Sequence, residues 1–227
     1  MFWGYWSDFS PFDLYQLLRL TDSKRKLASF DYVFRNFWNA FAVKGRAQTW
    51  EGHRRKKKKK NAPSYAPERL NARLAMRHAG MISSEDDLTG LGHELLRVGK
   101  IYGPDSAAFL DGIARLVLLE GRHLELIFWV EEQHRFLSEP DKHASDAYFK
   151  ALDRALIQAG VIAPLPTAAA KAHFLRDEPK LWNKLGLLHP VAKNRYFHQG
   201  LGLAFDWRKI ISILGEGTVE YPKLTSR

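Results

Sequence analysis

Along the chain, stretches in which apolar side chains recur at three- and four-residue steps alternate with stretches that have no period, and the former predict helices. Ser10-Pro11-Phe12-Asp13 reads as a helix start: a hydroxyl cap, proline at the first helical position and an acid in the first turn, followed by Leu14, Leu17 and Leu18. From Ser29, the positions Phe30, Val33, Phe34, Phe37, Trp38, Phe41 and Ala42 form an aromatic stripe on a second helix that ends before Gly45. Such a stripe belongs in a core. Pro67 opens a third helix, with Leu70 and Leu74 on an apolar side, Arg69, Arg73 and Arg77 spaced four apart on another, and Gly80 as C-terminal cap.

Beyond Gly80, Met81-Ile82 and Leu88-Thr89 flank the polar turn Ser83-Ser84-Glu85-Asp86-Asp87, which predicts a short hairpin, with Thr89 capping the helix that follows. Helix, glycine, hairpin and capped helix is the order of a winged helix. The arrangement Ala79-Gly80-Met81-Ile82 … Leu88-Thr89-x-x-Gly92-x-x-Leu95-Leu96 resembles the winged-helix recognition domains of bacterial regulators and of type IIS restriction endonucleases. That resemblance implies a DNA-binding role.

From Pro104 a helical region carries Phe109, Leu110, Ile113, Leu116 and Val117, then a second apolar segment from Leu124 to Val130 after Gly121, which reads as a helix pair broken at Gly121. Ser138 to Ser145, with Pro140, marks a boundary. The second half then repeats the order of the first. Ser145 caps a helix ending at Gly160, Val161-Ile162 reads as a short strand, and Thr167 starts an alanine-rich helix to Arg176. Glu178 to Leu185 forms another helix, terminated by Gly186. Leu187-Leu188, a turn near Lys193-Asn194 and the strand-like Arg195-Tyr196-Phe197-His198 make a second wing, and Asp206 caps a closing helix through Ile210, Ile211 and Leu214. The expected fold is mainly α with small β-hairpins: tandem winged-helix units (1–100, with a basic loop at 44–66, and 139–227) joined by a helical spacer (101–138).

Composition sharpens the functional side of this picture. With 45% hydrophobic and 13% aromatic residues the chain has material for a packed core, which excludes a disordered class. Lysine and arginine number 35 against 25 acids, a net +10 that favours a polyanionic partner. Much of it is concentrated in Arg54, Arg55, Lys56, Lys57, Lys58, Lys59 and Lys60, a run too charged to pack. It reads as a phosphate-contacting arm, a localisation-like signal or a solvated loop. The best candidate for a membrane span, Leu116 to Val130, is interrupted by Glu120, Arg122, His123 and Glu125, so no membrane partner is expected. Met1 to Trp6 lacks the features of a secretory signal, and the absence of cysteine excludes disulfides and thiolate metal sites, so a cytoplasmic location is expected.

The arginines Arg69, Arg73 and Arg77 either enter a major groove, where arginine reads guanine, or form an exposed face paired with acids. In the second unit Lys180, Asn183 and Lys184 share a helical face that offers an amide for an adenine edge beside two cations, and Arg195 and His198 stand ready on the wing. Trp50, Trp182 and Tyr196 are candidate base-stacking groups, Trp182 being also a core candidate. Glu120-x-x-His123 and Glu131-x-x-His134 imitate di-metal ligand pairs, but on one helix they stand about 16 Å apart, too far to share a centre. No phosphate loop, dinucleotide fingerprint or nucleophile elbow is present, and His53, His173, His189 and His198 have no acid or nucleophile beside them in sequence. No metal, cofactor or catalytic residue is therefore expected. The expected function is a DNA-binding module, the recognition part of a restriction or mobile-element system that acts on double-stranded DNA beside a catalytic subunit. The alternatives are a winged-helix assembly subunit gripping a protein partner, and an RNA-binding or RNA-processing protein.

Overall fold

The computed structural model describes residues 10–24, 29–42, 66–134, 154, 157–158, 160, 178, 180–188 and 205–215. Within them the chain forms α1 (Pro11–Asp22), α2 (Phe30–Phe37), which runs into a π-helical turn (Trp38–Ala42), α3 (Ala66–His78), α4 (Gly90–Tyr102), α5 (Ala107–Leu118), α6 (His123–His134) and α7 (Trp207–Leu214). Residues 180–184 are also helical.

Local chemistry sets most of the boundaries. Ser10 accepts a hydrogen bond from the Asp13 amide at 3.0 Å, with Pro11 at the first helical position. Thr89 accepts from Gly92 at 3.1 Å, Ser106 from Phe109 at 3.2 Å and Asp206 from Lys209 at 3.0 Å. Each such cap stabilises its helix by about 1 kcal/mol. Between α5 and α6 the chain turns at Gly121, where a Cβ would stand 2.5 Å from the Val117 carbonyl oxygen, and at Arg122, which takes φ +61°. The break expected at Gly121 is there.

A single apolar cluster draws on every helix: Leu14, Leu17 and Leu18 from α1, the aromatic stripe of α2, Leu95 and Leu96 from α4, Phe109, Ile113 and Val117 from α5, Ile127 from α6, and Ile210 and Leu214 from α7. Phe34 lies at the centre of the stripe, with ring centroids 6.2 Å from Phe30 and 5.7 Å from Phe37. α3 differs from its sequence expectation. It buries Ala72, Ala75, Met76 and Ala79, and Leu70 is left 50% exposed. Small side chains let α3 approach the core closely, and Leu70 falls on the outer face. In α7 likewise Ile210, Ile213 and Leu214 are buried while Ile211 is exposed.

The expected wings are not seen as strands among the described residues. Among the described residues there is no strand, and β-pairing is reduced to two isolated bridges, Ile82 with Leu88 and Leu188 with Phe205. The tandem winged-helix fold with small hairpins is thereby corrected to a mainly helical one, without strands among the described residues. At the first site the reason is visible in the turn. Ser83 N–H donates to the Asp87 carbonyl at 2.8 Å and Asp86 N–H returns to Ser83 at 3.1 Å, so the segment folds back at once. Its apolar residues Met81 and Ile82 enter the core instead of extending. Of the second wing, Lys193, Asn194 and residues 195–198 lie outside the described residues, as do Val161, Ile162 and the helix expected over 167–176.

The order of helix, glycine and capped helix is present twice, and the two copies correspond position by position around the glycine, with a longer connection in the second. Gly80 (φ +65°) and Gly186 (φ +69°) both end a helix in the left-handed conformation that glycine tolerates. The next residue, Met81 or Leu187, donates its N–H to the carbonyl five positions back, Met76 or Trp182, at 2.8 Å in both cases. Its own carbonyl accepts from the cap of the following helix, Thr89 at 3.1 Å or Asp206 at 2.9 Å. Met76, Ala75 and Ala79 of the first copy stand where Trp182, Leu181 and Leu185 stand in the second, and all six are buried.

Candidate nucleic-acid interface

Sequence spacing places Arg69, Arg73 and Arg77 on one side of α3, and the fold then engages all three with acids. Arg69 Nη1 meets Asp31 Oδ2 of α2 at 2.7 Å on the surface. Arg73 makes a two-pronged contact with Asp86, Nε to Oδ1 and Nη2 to Oδ2, both at 2.8 Å. Arg77 Nη2 donates to Asp86 Oδ1 at 2.9 Å and also to the Ser84 carbonyl. Asp86 is buried, takes φ +65° and also accepts from the Phe30 amide at 3.4 Å. One carboxylate thus ties α3, the N-terminus of α2 and the 83–87 turn together. Its hydrogen bonds to Arg73 raise the pKa of that guanidinium above its usual value, against the opposing effect of burial. Arg73 Nε and Nη2 and Arg77 Nη2 are thus engaged within the protein.

In the second copy Lys180 and Asn183 are exposed and Lys184 is half-buried, all on the short helix 180–184. Asn183 occupies the position of Arg77 in the first copy, but its side chain lies in solvent. Trp182 is core: fully buried, its ring meets Phe205 edge-on at 5.0 Å. Arg54, Arg55, Lys56 to Lys60, Arg195 and His198 lie outside the described residues, with Trp50, Tyr196, His53, His173 and His189. Among the described residues no three His, Asp or Glu side chains are grouped to hold a metal ion, and no helix is long and apolar enough to cross a membrane.

Comparison of the chain with known protein families and with curated proteins finds no match in either.

Charge supplies the clearest asymmetry. Across the described residues acidic and basic side chains nearly cancel, so the +10 excess belongs to the remaining residues, the run 54–60 foremost. The helical scaffold is electrostatically quiet because its acids nearly match its cations in number, several of them in ion pairs: besides the arginines of α3, Lys209 meets Asp111 at 2.6 Å, Lys24 meets Asp87 at 2.8 Å and Arg122 meets Glu125 at 2.6 Å.

Two features escaped the sequence. Asp86 sat in an acidic turn with nothing to distinguish it from Glu85 and Asp87, although an aspartate is among the few non-glycine residues that adopt positive φ. The other is a buried contact between His123 Nδ1, at the start of α6, and Glu178 Oε1, 2.8 Å apart, with both side chains 1% exposed. Its one sequence signal was a charged residue at a position of the repeat that the first copy fills with Ala72.

Proposed function

We propose that the protein binds nucleic acid through the cationic run Arg54 to Lys60, carried on a near-neutral helical scaffold. The supporting observation is the segregation of charge: a scaffold that neutralises its own cations beside seven consecutive cations. Lysines contact phosphates as point charges, and each phosphate neutralised releases counterions, so such a run binds backbone without reading sequence. Selectivity belongs to ordered groups, for which the exposed Lys180 and Asn183, with Lys184 beside them, are the candidates on the second copy. Double-stranded DNA is the proposed ligand, since an amide beside cations on a helical face suits the edges of a major groove. The arginines of α3 serve architecture in this reading.

Replacing Lys56 to Lys60 with alanine should weaken binding to labelled duplex DNA at least tenfold at low salt, equally for all sequences. It should also flatten the salt dependence, by about 0.9 in log–log slope for each phosphate that the variant no longer neutralises. Unchanged binding would overturn the proposal, and a preference for duplex RNA or single strands would redirect it. Substituting Asn183 and Lys184 with alanine should reduce binding to a selected target more than binding to random duplex. An equal loss would make that helix a phosphate clamp.

A further inference from the structure

The second copy of the repeat holds a charge that the fold does not require. Where the first copy buries Ala72 the second buries Glu178, and the only charged group in contact with it among the described residues is His123. The contact is close but not aligned as a hydrogen bond. The imidazole Nε2 and the second carboxylate oxygen are also buried without a hydrogen-bond partner among the described residues. Burying two ionisable groups is expensive unless their remaining hydrogen-bonding positions are satisfied, and here they are not. An alanine at this position serves the same helix–glycine–bridge–helix order in the first copy, so folding alone does not account for the pair.

We propose that His123 and Glu178 form a one-proton latch that holds residues 178–188 against α6 and releases them when the pair gains or loses a proton. With one proton shared between imidazole and carboxylate beyond the neutral ring's own, the pair carries no net charge. Removing that proton leaves a lone buried carboxylate, and adding another leaves a lone buried imidazolium. Either state places an uncompensated charge in the core, whose cost is relieved by opening the contact to water. The segment released is the one that carries Lys180, Asn183 and Lys184, so the latch would set whether that face is presented in order. The inference does not depend on nucleic-acid binding.

Other titratable groups lie on the neighbouring elements. On α3, His78 has its pKa lowered from the ordinary 6.5, by burial first and by the charge of His123. A histidine whose pKa falls on folding contributes stability above the unfolded value that is lost as pH drops, so His78 alone gives a one-sided acid loss. Glu120 lies over Gly80 in the α5–α6 turn, and on α6 Arg122 and Glu125 are paired, with Arg122 also donating to the Gly160 carbonyl at 2.9 Å. Lys180 and Lys184 lie on the helix of Glu178, and Asp206 and Lys209 at the start of α7. None of these is in contact with Glu178, and a one-proton optimum requires the pair itself.

Hydrogen exchange of the full chain, read peptide by peptide and corrected for intrinsic rates, tests the latch in a His78→Gln background from about pH 4 to about pH 9, the span over which carboxylates and imidazoles titrate. Protection of residues 180–188 should peak at intermediate pH and fall at least tenfold on both sides, while α4 stays level. The double variant His123→Leu/Glu178→Leu, which leaves no buried charge, should remove both arms. Glu178→Leu alone should retain only the acid arm and His123→Leu alone only the alkaline one. A level profile in the parent, or one that the double variant retains, would overturn the latch. Because the double variant buries only apolar groups, the comparison survives even if a single variant fails to fold.

Discussion

Asp86→Ala should lower the stability of the protein by about 2–3 kcal/mol, a fall in Tm of roughly 5–10 °C for a chain of this length. Removing one partner of a buried ion pair ordinarily costs about 3–5 kcal/mol, because the other charge is left without compensation. Here the guanidinium groups of Arg73 and Arg77 keep 35% and 28% of their side-chain surface in water and can partly rehydrate, which brings the figure down. Two further losses accompany the charge: the Phe30 amide gives up its acceptor, and alanine must adopt a φ of +65° that aspartate tolerates better. Asp86→Asn keeps an acceptor and the tolerance of positive φ, so it should fall between wild type and alanine. Thermal denaturation of the three proteins is the measurement, and an alanine variant that melts with the wild type would show that the arginines are held by something else.

Gly92→Ala should also lower the stability, although alanine is favoured over glycine within a helix by about 1 kcal/mol. Gly92 lies in the first turn of α4, where the helix is pressed against the segment leaving Gly80. A Cβ there would stand 2.1 Å from the Met81 carbonyl oxygen and 3.2 Å from Leu88 Cδ2. The first obstacle is backbone, and it cannot rotate aside. That carbonyl also accepts from Thr89 at 3.1 Å, so displacing it disturbs the helix cap as well. Overpacking of this kind costs about 1–3 kcal/mol or more, which exceeds the gain in propensity. Gly90→Ala is the matched control. It adds the same methyl group two residues away, where no atom lies within 4 Å, and should be neutral or slightly stabilising. Equal melting temperatures for the two variants would contradict the close approach of α4 to Met81.

Features that depend on bonds spanning a few residues were legible along the chain. Ser10, Thr89 and Asp206 could be read as caps because each satisfies an amide three positions on, and Gly80, Gly160 and Gly186 as helix ends because each takes a φ that other residues avoid. The aromatic stripe of α2, the break at Gly121 and the repeated helix–glycine–capped-helix order were legible for the same reason. How much of the segment after Gly80 would pair as β was a matter of packing. Two apolar residues beside a turn suit a strand or a core plug equally well, and the contacts of Met81 and Ile82 with the helices chose the second. The roles of the charges were decided there too. The spacing of Arg69, Arg73 and Arg77 announced a shared face, but whether it would meet a groove or an acid rested on Asp31, brought in by α2, and on Asp86, turned inward at a positive φ. His123 and Glu178 are remote in the chain, and no local pattern pairs an imidazole at the start of one helix with a carboxylate at the start of another. Burial brings them together, and burial is a property of the whole fold.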